Sequence, residues 1–131
     1  MLRYSLGLAI AVAALAFAAD KTAIADILKD AAKFDGKVLT VTGKVHNFKQ
    51  KTSKAGNPYY NLKLVNKEGE QVSVYGRGKA ENELKDDQVV EVTGKFAKEK
   101  KVGSVTFKNE IDVAKDPEDK KTADFGIKIK E

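Results

Sequence analysis

The chain contains no cysteine and no tryptophan, one histidine, two prolines and two arginines among its 131 residues. Without cysteine there is no disulfide framework, thiolate metal site, cysteine nucleophile, redox dithiol or lipid-modified cysteine. A single histidine rules out a multi-histidine metal centre and leaves any serine–histidine–acid arrangement resting on His46 alone. The sequence does not exclude paired acids for glycoside hydrolysis, but these need a deep cleft to desolvate them, which a small five-stranded barrel does not supply. These absences argue against an enzyme and against a metal or cofactor. What remains is basic: 24 Lys and Arg against 19 Asp and Glu give a formal charge of +5, nearly all of it from lysine. Lysine supplies point charges rather than bidentate forks, which suits a binding surface for anionic partners.

The N-terminus reads as an address. Arg3 precedes an apolar run from Leu6 to Phe17, and Ala16-Phe17-Ala18 has the small–x–small pattern of a signal-peptidase site. The run is too short to span a bilayer. Residues 1–18 are therefore expected to be a cleavable signal peptide, with cleavage after Ala18 and a secreted or periplasmic product.

Residues 19–36 are expected to hold a leading amphipathic helix, with Ile24, Ile27, Leu28, Ala31 and Phe34 on one stripe over 22–34 and Gly36 as its stop. From Lys37 the apolar period changes to two. Five strands follow within 37–113. They run through Leu39–His46, Tyr59–Val65, Gln71–Tyr75, Gln88–Phe96 and Ser104–Val113. Residues 51–58, 66–69 and the charged 98–103 segment read as turns, and 79–85 as a short helix around Leu84. Val41-Thr42-Gly43-Lys44 is echoed by Val92-Thr93-Gly94-Lys95, each glycine marking a bulge or close backbone approach. Residues 114–131 form a charged tail in which 125–129 alternate as in a short edge strand.

Alternation also assigns an outer face. With Leu39, Val41 and Val45 inward, Lys44, His46 and Phe48 point outward, as do Tyr59, Asn61 and Lys63 on the second strand and Ser73, Tyr75 and Arg77 on the third. Charge is polarised along the chain. Residues 36–67 hold seven lysines (Lys49, Lys51 and Lys54 in the first connection) and no acid, and the last hairpin adds Lys95, Lys98, Lys100 and Lys101 against Glu99. Gly76-Arg77-Gly78-Lys79 lacks the phosphate-loop spacing and reads as a turn. Asp116, Glu118 and Asp119 lack calcium-loop spacing and read as solvated acids.

Gly36–Val45, Tyr59–Asn66 with Gln71–Gly76, and Gln88–Lys95 resemble the strands of bacterial OB-fold domains of the tRNA-anticodon-binding type, in an exported single-domain version. The resemblance implies an all-β, five-stranded Greek-key barrel with a leading helix and a short helix between strands three and four. It also implies that ligands lie on strands two and three between the 1–2 and 4–5 loops. On that face fall Lys44, His46, Phe48, Lys49, Lys51, Lys54, Tyr59, Asn61, Lys63, Tyr75, Arg77, Lys98, Lys100 and Lys101. The expected function is non-enzymatic binding of single-stranded nucleic acid or another polyanion, with a periplasmic protein- or small-ligand-binding role in envelope or stress biology as the alternative.

Overall fold

Thr, Val and Leu alternate from Val38 onward, and a half-buried strand is the conformation that lets such a sequence bury one side while solvating the other. The computed structural model describes residues 19–130, so the expected signal peptide lies outside the described residues. The elements are β1 (Asp20–Lys21), α1 (Ile24–Lys29), α2 (Ala31–Phe34), β2 (Val38–Thr52), β3 (Pro58–Val65), β4 (Gln71–Arg77), β5 (Val89–Val102), β6 (Val105–Asp112), a 3₁₀ turn (Lys120–Thr122) and β7 (Gly126–Ile129). The protein is mostly β. Its strands form one seven-stranded sheet in the order β1-β2-β3-β4-β6-β5-β7, and a further antiparallel pairing of β2 with β5 partly closes the sheet into a ring. The joint between β4 and β6 is parallel and short, from Ser73↔Glu110 to Tyr75↔Asp112. No helix among the described residues is long and apolar enough to cross a membrane.

The ring encloses the core. Leu39, Val41, Val45, Leu62, Leu64, Val72, Val74, Val90, Val92, Phe96 and Ile111 are all buried, and Ile24 and Ile27 from α1 join the same cluster. Each such aliphatic side chain contributes roughly 1.5–3 kcal/mol of burial. The repeated glycines serve close approach, as expected. A Cβ on Gly43 would lie 2.9 Å from Leu64 Cγ and from the Val65 carbonyl oxygen, and one on Gly94 would collide with the Asp112 carbonyl.

Several boundaries differ from expectation. The 22–34 helix is two short helices, broken at Asp30, whose φ of −150° and ψ of 70° are not helical. Residues 79–85 form no helix. Seven residues with one buried side chain, Leu84, gain too little packing to offset helix nucleation. Gln50 instead ties the start of this segment to β2, accepting from Ala80 N at 3.0 Å and donating to the Gly78 carbonyl at 3.1 Å. Within the tail, Phe125 is buried and β7 pairs antiparallel with Val90–Thr93 of β5. Asp116 and Asp119 accept from the Glu118 and Lys121 amides, so these acids cap a local turn. β1, which the alternation does not reveal, pairs parallel with β2 at Leu39 and Thr40.

The largest difference is in the hairpins. β2 and β5 run well past the ring. Lys49–Thr52 pair with Pro58–Asn61, and Glu99–Val102 pair with Val105–Lys108. The expected 98–103 loop is therefore strand through Val102, with a two-residue turn at Gly103-Ser104 where Gly103 has φ 62°. Two basic arms project from the ring in place of two basic loops.

Candidate ligand-binding site

Alternation on β3 and β4 positions the floor of the site. Tyr60, Leu62, Leu64, Val72 and Val74 go into the core, which leaves Tyr59, Asn61, Lys63, Ser73 and Tyr75 on the opposite face. The register places Asn61 opposite Tyr75 and Lys63 opposite Ser73. Tyr59 and Tyr75 are thus diagonal neighbours, with ring centroids 6.0 Å apart and planes inclined by 33°. Lys63 Nζ donates to Ser73 Oγ at 2.7 Å. Lys51 stands opposite Tyr59 on the β2 arm. From the other side, Lys100, Val102 and Phe107 of the β5–β6 arm complete a groove of about 500 Å³.

At its wall lies an acid that alternation does not single out. Glu110 is 6% exposed. Its Oε1 accepts from Lys100 Nζ at 3.0 Å, and the same ammonium sits 4.4 Å from the centroid of Tyr75. Phe107 and Glu110 are three residues apart, and straight alternation would send them to opposite faces. Between them Asn109 takes φ 52°, and both side chains line the groove. Asparagine tolerates this left-handed conformation better than most residues. The Asn109-Glu110 pair in a run of strand formers was the signal available.

Of the expected site residues, the structure gathers Lys51, Tyr59, Asn61, Lys63, Tyr75 and Lys100 around the groove. Phe48 is corrected. Asn47 has φ 61° and the β2–β3 register shifts between His46 and Lys49, a bulge that reverses the alternation. Phe48 therefore turns inward and packs on Tyr60, with centroids 6.0 Å apart. Lys44 and His46, on the near side of the bulge, border a second depression with Lys67 and Asp87. His46 Nδ1 is 3.9 Å from Asp86 Oδ2, and the Asn47 amide donates to Asp86 Oδ1 at 2.9 Å. Lys49 lies opposite Asn61 and is exposed, and Lys54 is exposed in the turn of that arm. Arg77 lies opposite Tyr59 but borders a different depression with Lys79 and Lys115. Lys98 is exposed near the base of the β5 arm, its amide donating to Asp35 Oδ1 at 2.8 Å, and Lys101 is exposed opposite Thr106.

Burial pushes the Tyr60 hydroxyl above its ordinary pKa of 10.0, and the nearby Glu81 and Asp112 carboxylates push it the same way. Among the described residues no group of three or more His, Asp or Glu side chains is placed to hold a metal ion. The site thus offers an aromatic pair, three ammonium groups, amide and hydroxyl groups, and one buried carboxylate. Such a set can supply stacking surfaces and charge. Comparison with known protein families, characterised proteins and solved structures finds no match to this chain.

Proposed function

We propose that this chain is a non-enzymatic binding module of the OB type that holds single-stranded nucleic acid in the groove between its two arms. The observation that carries the reading is the Tyr59–Tyr75 pair lying at the floor of a groove edged by Lys51, Lys63 and Lys100. Bases stack on such rings at about 1–3 kcal/mol each, while ammonium groups neutralise the phosphates. The strand order β2-β3-β4-β6-β5 with β2–β5 closure supports the barrel assignment. With residues 1–18 as a cleaved signal peptide, the ligand is met outside the cytoplasm, as extracellular DNA or RNA.

The test is a titration of fluorescent dT15 by anisotropy at several salt concentrations. Binding should be micromolar or tighter at low salt. Its logarithm should fall with log salt at a slope near −2, since three groove lysines release about 0.7 counterion per phosphate on a single strand. Tyr59→Ala and Tyr75→Ala should each weaken it by about 1–3 kcal/mol without changing the circular dichroism spectrum. The two losses should add to less than their sum because the rings touch. Absence of binding at low salt refutes the reading.

A second reading, a protein partner, is favoured by the exposed Val102, Val105 and Phe107 on the β5–β6 arm. Under it, Phe107→Ser abolishes capture of the partner, and Lys51→Ala leaves capture unchanged.

A further inference from the structure

Glu110 is out of place in a groove that serves only anions. A carboxylate this buried is retained at a cost unless paired, and here one oxygen is held by Lys100. Oε2 accepts from no donor among the described residues, and the side chain borders the groove. Lys100 meanwhile covers the ring of Tyr75, the surface on which a base would stack. Both contacts are made by one flexible ammonium that a phosphate can attract away.

We infer that Glu110 reads the base stacked on Tyr75 and favours guanine; this rests on the nucleic-acid reading of the same groove. As a strand enters, Lys100 transfers from Glu110 to a backbone phosphate, and the base takes its place over Tyr75. The freed carboxylate then faces the edge of that base in a half-dry groove, where an acceptor left without a donor is costly. Guanine presents two adjacent donors, N1–H and the N2 amino group, and satisfies both carboxylate oxygens at once. Thymine and uracil present one N–H between two carbonyls, whose oxygens face the carboxylate repulsively. Adenine and cytosine fall between, with one amino group each. Lys100 keeps the carboxylate compensated in the free protein and is the guard, while Glu110 is the specificity residue.

The experiment compares d(TG)7T, d(TI)7T (in which inosine lacks only the N2 amino group) and dT15 by anisotropy at low salt, with the native protein and Glu110→Gln. The native protein should prefer d(TG)7T over dT15 by at least about fivefold, the lower end of what one bidentate base contact discriminates. The inosine strand should fall between them. Glu110→Gln should bring all three within about twofold of one another, with dT15 bound at least as tightly as by the native protein because Lys100 is no longer held by a carboxylate. Equal native affinities for the guanine and thymine strands overturn the inference and leave the nucleic-acid reading standing. A guanine preference that persists in folded Glu110→Gln overturns the assignment to Glu110. Should that variant not fold, the native comparison decides, and inosine equal to guanine overturns the two-donor contact. No binding to any strand removes the parent reading and the inference with it.

Discussion

Replacing Lys100 with alanine strips the Glu110 carboxylate of its counter-charge and tests whether the β5–β6 arm is latched onto the ring. The pair is 3.0 Å long, which at an effective dielectric near 20 corresponds to about 5.5 kcal/mol of gross Coulomb attraction. Most of that is offset by desolvation of the ions, and the Lys100 side chain is 34% exposed, so screening reduces it further. The contact with Tyr75 adds about 0.5–1 kcal/mol. The loss on substitution is dominated by what stays behind, a buried carboxylate with no ammonium beside it. We expect about 2 kcal/mol, less than the 3–5 kcal/mol of a fully buried pair. For a domain slightly above 100 residues this lowers Tm by about 8 °C. Thermal unfolding followed by circular dichroism reads it directly. Adding Glu110→Gln to Lys100→Ala removes the stranded charge and should recover at least about 1 kcal/mol, a non-additivity that separates the pair from simple loss of lysine packing. A drop below about 2 °C, or additive behaviour in the double variant, refutes the latch.

Gly94→Ala places a methyl group against the Asp112 carbonyl on the neighbouring strand, where backbone rather than a mobile side chain has to give way. It should cost about 1–3 kcal/mol, seen as a lower urea midpoint at unchanged m-value. For Tyr60 the folded-state pKa is raised, so the unfolded chain loses its proton first as pH climbs past 10.0. The unfolded state then binds fewer protons and stability falls with rising pH, from about pH 10 up to the folded pKa. This contribution is unchanged below that window. Tyr60→Phe should flatten the decline relative to the native protein in denaturant titrations between pH 9 and 11.

Strand positions were legible because burial on one face leaves a period of two in the sequence, and the inward residues of β3, β4 and β5 fall where alternation puts them. The features that were not legible have particular physical reasons. At Asn47 a single residue with positive φ shifts the β2–β3 register, so Phe48, outward by counting, packs on Tyr60. At 79–85 the helix-favouring Lys-Ala-Glu-Asn-Glu-Leu-Lys run has strong propensity but almost no buried face, and tertiary hydrogen bonds from Gln50 prevail. In each arm one half follows alternation, within Tyr59–Val65 and Ser104–Val113, and the other half, 51–52 and 98–102, reads as a turn because Lys and Glu dominate it. A hairpin with both edges in solvent needs no apolar residues to satisfy its own ladder, so alternation disappears where pairing does not. Glu110 was missed for a related reason. It sits where β6 passes from the arm to its pairing with Ser73 of β4, a join that only the folded sheet makes, and Asn109 is the local sign.

The arrangement of the arms changes what the lysine count means. Seven acid-free lysines over 36–67 and four more over 95–101 pointed to a basic cleft. Only Lys51, Lys63 and Lys100 reach the groove, and two of these already have partners, Ser73 and Glu110. The remaining lysines do not line it, and stand on arm edges, on the ring, in the turn at Lys54 or beside the second depression. At physiological salt their influence decays over about 8 Å, so they raise the local concentration of an anion without fixing where it lies. Position has to come from the short-range groups, Tyr59, Tyr75 and Glu110. For that reason the expected salt slope is set by three lysines rather than eleven. A slope near −8, the value if all eleven neutralised phosphates, would mean that the strand wraps the arms instead of lying between them.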